Sequence, residues 1–197
     1  MEKLSKRALV QNVWSVCMMA FFIIFWTYSA VWGFGWNPFT ISCIIASFVY
    51  AIWLYAKAIK MFRAVRTLPD SPATESDKRI RKRFRFIFGI EIILITVCSI
   101  ILSNSILGNP NYILPIITII VGGHFLPLSV LFHARLLFIT GIIMIAAAVS
   151  GIILIASGKW INQSIGVCAL ISAVCVAILS AYVLRLVKTG FNVAKNE

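Results

Sequence analysis

The chain of 197 residues is strongly apolar and strongly basic. Hydrophobic residues make up 61% of it, the mean hydropathy is +0.98 and the formal net charge is +12 at pH 7. Soluble domains carry about 45–50% apolar residues, so the composition excludes an ordinary soluble protein. Nucleic-acid binding is not supported, because the basic residues flank apolar segments and no nucleic-acid-binding motif accompanies them. We predict an all-α, polytopic membrane protein with a single domain over residues 1–197.

Long segments of the sequence contain no Asp, Glu, Lys or Arg. They are residues 8–56, 92–134, 136–158 and 160–184. Each holds one or two apolar runs of about 20 residues, which is the length of helix that crosses ~30 Å of hydrocarbon. We predict six transmembrane helices in three helical hairpins, at residues 13–32, 39–59, 86–107, 112–132, 136–157 and 161–184. The first run is too long for a cleavable signal peptide, and we interpret it as a retained anchor.

The basic residues predict the orientation of these spans. Every Lys and Arg except Lys159 falls on one side of the six-span arrangement. Short cytoplasmic loops of membrane proteins collect basic residues, a tendency called the positive-inside rule. We therefore predict a plasma-membrane protein whose termini and basic loop over residues 60–85 all lie in the cytoplasm.

The 60–85 loop is the longest connection and divides into two parts. Residues 68–72 contain two prolines and break helices. Thr74, with Asp77 three residues later, resembles a helix start, from which we predict one uninterrupted helix into the third span. The first turns of that helix carry Lys78, Arg79, Arg81, Lys82, Arg83 and Arg85. These residues either contact anionic lipid head groups, at ~1 kcal/mol per basic residue, or only determine topology.

Small residues recur at helical spacing on the last two spans. Small side chains let helix backbones approach closely in a bilayer. We predict close helix packing at Ala147, Gly151, Ala169, Ala173, Ala177 and Ala181. The spacing fits packing within one chain, packing in a homo-oligomer and packing against a partner membrane protein.

The fourth span contains an unusual run, Val121-Gly122-Gly123-His124-Phe125-Leu126-Pro127-Leu128. Pro127 has no N–H for the carbonyl of Gly123, and glycine lowers the cost of bending. We predict a helix that is bent or locally broken at Gly122, Gly123 and Pro127. The Gly-x-His-Phe-x-Pro-Leu pattern of residues 122–128 resembles one found in small, largely uncharacterised bacterial multi-span proteins. The resemblance implies a bacterial inner-membrane protein with an intramembrane histidine in its fourth helix, and no particular activity.

Glu91 is the only carboxylate inside a predicted span. It lies about 9 Å further along the helix than Arg85, and His124 lies about 12 Å from the same end of its own span. Their helices are joined by a short turn, so we predict that Glu91 and His124 form an intramembrane polar site. In the alternative arrangement, Glu91 extends toward the basic residues and His124 bonds a backbone carbonyl.

Three classes of function fit the sequence. A non-enzymatic membrane partner, sensor or scaffold subunit agrees best with the scarcity of polar residues in the spans. A small transporter or channel would use Glu91 and His124 as a proton-binding pair. It would also need a polar route, which could involve only Cys98, Asn104, Ser105, Thr118 and Ser129.

The third class, an intramembrane enzyme or haem protein, is the least supported. His124 and His133 do not share a helical face, and the sequence contains no zinc, phosphate-loop or catalytic-triad pattern. The five cysteines lie inside the spans without a CxxC pair, so we interpret them as small apolar residues. We expect neither enzymatic activity, nor a cofactor, nor a bound metal.

Overall fold

The structure is a computed structural model that describes residues 6–68, 75–104, 109–132 and 134–195. The chain is helical throughout these ranges, and they contain no strand. The elements are α1 (Lys6–Ser29), α2 (Val31–Phe34), α3 (Pro38–Arg66), α4 (Glu75–Ser103), a 3-10 turn (Pro110–Tyr112), α5 (Ile113–Leu131), α6 (Arg135–Ala156) and α7 (Ile161–Lys195). Among them are 6 helices that are long and apolar enough to cross a membrane. The predicted all-α class with six helices long enough to span a membrane is confirmed, whereas the three-hairpin arrangement and the cytoplasmic termini stay predictions.

Several helices extend beyond the predicted spans. α3 continues to Arg66 and α7 to Lys195, because Lys, Arg and Ala favour helix continuation outside the hydrocarbon as well. α4 runs from Glu75 to Ser103 without a break, which confirms the predicted continuous helix. Thr74, the predicted first residue of this helix start, lies outside the described residues.

Asn-Pro pairs begin two of the helical elements. The side-chain oxygen of Asn37 accepts a hydrogen bond from the Thr40 N–H at 3.0 Å, and the Thr40 hydroxyl accepts one from the Asn37 N–H at 3.1 Å. This reciprocal cap satisfies N–H groups that the first turn of α3 leaves without helical partners. Asn109 likewise accepts a hydrogen bond from the Asn111 N–H at 3.0 Å, ahead of α5. After these caps, α3 packs alongside α1, and α5 packs alongside α4.

The long helices form a series in which each contacts the next. α3 packs on α1, α1 on α7, α7 on α6, α6 on α5 and α5 on α4. α4 lies at one end of the series and has α5 as its main neighbour. Only 6% of the spanning window of α4 is buried, against 44% for α5 and α7. α4 is therefore the long helix that is least buried against the rest of the protein.

α5 and α6 cross closely at two glycines. A Cβ atom added to Gly141 would lie 2.6 Å from the Gly122 carbonyl oxygen, and one added to Gly122 would lie 2.9 Å from the Gly141 carbonyl oxygen. Gly122 thus allows helix packing, a role that the sequence alone did not indicate. α5 is continuous from Ile113 to Leu131 with Pro127 inside it. The predicted local break is therefore absent, whereas the predicted bend stays a prediction.

The small residues of α6 and α7 meet inside the chain. The Cys168 thiol donates a hydrogen bond to the Ala147 carbonyl at 3.3 Å. A Cβ atom on Gly151 would lie 2.7 Å from the same sulfur. Ala147 and Gly151 therefore contribute to packing between α6 and α7 of one chain.

The alanine series of α7 follows the same principle. Ala169 and Ala173 are buried, while Ala177 and Ala181 are half-buried. The Tyr50 hydroxyl of α3 donates a hydrogen bond to the Ala177 carbonyl at 3.1 Å. Small side chains on α7 thus leave its backbone accessible to neighbouring helices.

Candidate functional site

The basic residues at the start of α4 are exposed. They are Lys78, Arg79, Arg81, Lys82, Arg83 and Arg85. Lys78 Nζ lies 2.7 Å from Glu75 Oε1, one helical turn earlier. This exposure is compatible with lipid contact and with a purely topological role, so both interpretations stay open.

Glu91 of α4 and His124 of α5 are in contact. His124 Nδ1 lies 3.0 Å from Glu91 Oε1, with side-chain exposures of 16% and 7% respectively. The structure thus brings together the two residues that sequence reasoning paired. Arg85 is exposed and, within the described residues, forms no ion pair with Glu91. The structure therefore differs from the alternative arrangement, in which Glu91 extends to the basic residues.

The Glu91–His124 contact leaves polar atoms unsatisfied. The two closest atoms are at ion-pair distance, but they are not aligned as a hydrogen bond. In the described part of the chain, Nδ1 of His124 and Oε2 of Glu91 are both buried without a hydrogen-bond partner. An unsatisfied buried polar atom costs about 1–3 kcal/mol. These are the two atoms of the pair that a proton or a small polar ligand could satisfy.

Aromatic side chains lie near the Glu91–His124 pair and at the end of the basic run. The Phe84 ring of α4 lies 6.3 Å from the Phe132 ring just after α5, and 6.2 Å from the Phe88 ring. Phe84 precedes Glu91 by two helical turns, so the two side chains share a face of α4. The Phe125 ring lies 4.4 Å from the ring of His124. The pair thus has apolar surroundings, in which charge interactions are stronger than in water.

Two of the other polar residues proposed for a transport route form hydrogen bonds within their own helix. The Thr118 hydroxyl donates to the Leu114 carbonyl at 2.9 Å, and the Ser129 hydroxyl donates to the Leu126 carbonyl at 2.7 Å. Both bonds stay within α5. Cys98 is half-buried, Asn104 is exposed, and Ser105 lies outside the described residues. Across the ranges that the structure describes, none of these side chains bonds to Glu91 or His124.

A metal or haem site does not emerge from these side chains. The described ranges contain no group of three or more His, Cys, Asp or Glu residues close enough to hold a metal ion. His133 lies outside the described residues. The five cysteines are free thiols, of which Cys168 and Cys175 are buried.

No protein family, curated protein or solved structure significantly matches the chain. The resemblance of residues 122–128 to bacterial multi-span proteins accordingly stays a prediction. The fold and the site together define a six-span helical membrane protein with a buried Glu–His contact at its least supported helix.

Proposed function

We propose that the protein is a non-enzymatic sensor subunit of the bacterial inner membrane, in which the Glu91–His124 pair controls how α4 packs on α5. The observation that carries this proposal is the 3.0 Å contact between Glu91 Oε1 and His124 Nδ1 at that interface. A buried carboxylate is stable when it is protonated or paired with a cation. If the pair loses its proton, an uncompensated negative charge is left between the two helices. Whether α4 stays packed on α5 then depends on whether the Glu91–His124 pair holds a proton.

α4 is suited to transmit such a change. It is the least buried span, and its main contacts are with α5. The helix is uninterrupted from Lys78 to Glu91, a distance of about 20 Å along its axis. A shift of α4 at Glu91 would therefore move the basic run, which can contact anionic lipid head groups or a partner membrane protein.

The charge distribution supports a cytoplasmic position for this output. With the basic residues on the cytoplasmic side, both termini and the 60–85 loop face the cytoplasm. Glu91 then lies in the inner leaflet, about 9 Å deeper than Arg85. The proton would come from the cytoplasm, past Phe84 and Phe132.

Few other titratable residues lie near the pair on α4, on α5 or on the helix that packs against α5. Arg85, which keeps its positive charge, and Cys98 are the nearest titratable side chains in sequence on α4. His124 is the only titratable residue of α5, and Arg135 begins α6, which packs on α5. His133, the other histidine of the sequence, directly follows residue 132, so a pH effect on the α4–α5 interface is assigned to Glu91 and His124 when it persists in a His133→Gln background.

A pair of engineered cysteines tests this function. In a chain without native cysteines, residues 84 and 132 become cysteine, because their rings lie 6.3 Å apart across the α4–α5 interface. The control pair is residues 14 and 62, whose rings lie 6.3 Å apart between α1 and α3. The readout is the rate of disulfide formation at 84–132 relative to 14–62, which corrects for the pH dependence of thiol oxidation.

We expect this ratio to fall as the pH rises from about 5 to about 8, where histidine side chains commonly change charge. The double variant Glu91→Gln/His124→Gln leaves no ionisable group in the pair, so the ratio should then become independent of pH. A ratio that does not change with pH in the unmodified pair would contradict the sensor function.

The second candidate is a proton-linked transporter, which the unpartnered Glu91 Oε2 and His124 Nδ1 favour. The bonding of Thr118 and Ser129 within their own helix weighs against it. Proton flux into liposomes distinguishes the two. A transporter shows a flux that Glu91→Gln abolishes, whereas the sensor shows the pH-dependent crosslink without flux.

A further inference from the structure

A groove of about 340 Å³ lies between α6 and α7, where α6 ends and α7 begins. On the α6 side it is lined by the small residues Ala147, Ser150 and Gly151, and on the α7 side by residues that include Trp160, Gln163 and Val167. None of these residues belongs to the Glu91–His124 site. The groove is open at the outer surface of the helix bundle, because Ser150 and Val167 are exposed.

The groove spans the depth of a single leaflet. Its lining on α7 extends from Trp160 to Ile171. That segment is about 17 Å long, roughly half of the ~30 Å hydrocarbon thickness. A partner helix would cross both leaflets and would need a longer complementary surface. One acyl chain, in contrast, ends at the bilayer midplane, which a groove of this length reaches when Trp160 lies at the membrane surface.

The outer end of the groove is complementary to a phosphate. Lys159 is the only basic residue at this end of the bundle within the described ranges, and it precedes the exposed, groove-lining Trp160. α7 begins at Ile161, so the first N–H groups of this long helix lack helical acceptors. Such N–H groups and the helix dipole attract anions. Positive charge thus lies where a lipid head group would sit.

Polar side chains at the groove also lack partners. The exposed side chains of Ser150 and Gln163 form no hydrogen bond within the part of the chain that the structure describes. By contrast, the Ser164 hydroxyl, on the same wall, donates to the Trp160 carbonyl at 2.7 Å. Gln163 lies one helical turn from Trp160 and can reach the head group of a lipid that enters from this end.

We infer that this groove binds one phospholipid of the leaflet opposite the basic run. Its phosphate contacts Lys159 and the first turn of α7, and one acyl chain lies against Ala147, Ser150 and Val167. The site is independent of the Glu91–His124 pair, so it stands whether or not the sensor function holds.

Photolabelling tests the site. The full-length protein is reconstituted in liposomes that contain phosphatidylglycerol with a diazirine on one acyl chain, and adducts are mapped by mass spectrometry. Val167→Trp fills the groove at an exposed position, and Ile153→Trp, also exposed but on α6 outside the groove lining, is the matched control. We expect adducts concentrated on the groove residues, their loss in Val167→Trp, and wild-type labelling in Ile153→Trp.

Lys159→Gln tests the head-group end without touching the groove. It should lower groove labelling about fivefold, the factor that one basic residue near a membrane surface typically provides. Equal labelling of wild type and Val167→Trp, or equal losses in Val167→Trp and Ile153→Trp, would overturn the proposal. So would a wild-type dimer that Val167→Trp dissociates, since the groove would then be an interface between two copies of the chain.

Discussion

Removal of either partner of the Glu91–His124 contact should cost nearly as much stability as removal of both. Glu91 is only 6% exposed, so water screens the contact little. Glu91→Gln or His124→Gln leaves the other residue buried and unpaired, which costs about 1–3 kcal/mol. Measured hydrogen bonds between membrane helices average about 0.6 kcal/mol and reach about 1.7. We take about 2 kcal/mol for each single variant, because the partner left behind is ionisable.

The double variant Glu91→Gln/His124→Gln removes both ionisable groups at once. We expect it to cost about 2 kcal/mol as well, which gives a coupling energy of about −2 kcal/mol. The assay is reversible unfolding in mixed micelles, with the free energy of unfolding measured for all four proteins. A control cycle combines Glu91→Gln with Ser129→Ala, whose hydroxyl bonds Leu126 instead. That cycle should be additive within about 0.5 kcal/mol. Additive costs for Glu91→Gln and His124→Gln would refute the pairing.

Three further predictions concern other parts of the molecule. Gly141→Ala should destabilise the protein by about 1–3 kcal/mol, because its Cβ would meet the Gly122 carbonyl. Gly123→Ala is the control and should not destabilise it, because nothing lies within 4 Å of the new Cβ. Thermal unfolding of the two variants measures both effects. A cysteine at residue 75 should react with an impermeant maleimide only after the cells are opened, and one at Ser157 should react in intact cells; the reverse pattern would invert the topology. Arg81→Lys keeps the positive charge, so membrane insertion and the 84–132 crosslink should be unchanged. If the crosslink is lost while insertion is intact, Arg81 recognises a specific head group or partner through two hydrogen bonds.

Depth in the membrane could be predicted from the sequence, because it follows from the distance to charged flanks. The helical rise places Glu91 and His124 at similar depths, and their helices are joined by a short turn. The same reasoning predicted that α4 continues from the basic run into the membrane. The Glu91–His124 contact and the unbroken α4 agree with this reasoning, and the depth in the membrane itself stays a prediction.

Which helices lie side by side could not be predicted from the sequence in this way. The spans are apolar on all sides, so their patterns do not show which face meets which neighbour. The peripheral position of α4, the Gly122–Gly141 crossing and the hydrogen bond from Tyr50 to Ala177 all depend on shape complementarity between distant segments. From the sequence, Gly122 is interpreted as part of a bend or break in the helix, because Pro127 lies nearby. Its close approach to Gly141 requires knowledge of which helix lies opposite.

Infrared difference spectroscopy tests most directly whether Glu91 and His124 bind and release a proton inside the membrane. The measurement compares the reconstituted protein at about pH 5 and about pH 8, the interval in which histidine commonly changes charge. We predict a carbonyl-stretch signal from a carboxyl group that changes protonation, absent in Glu91→Gln and altered in His124→Gln. A spectrum with no Glu91-dependent carboxyl signal and no histidine signal that depends on His124 would contradict the proton-binding pair.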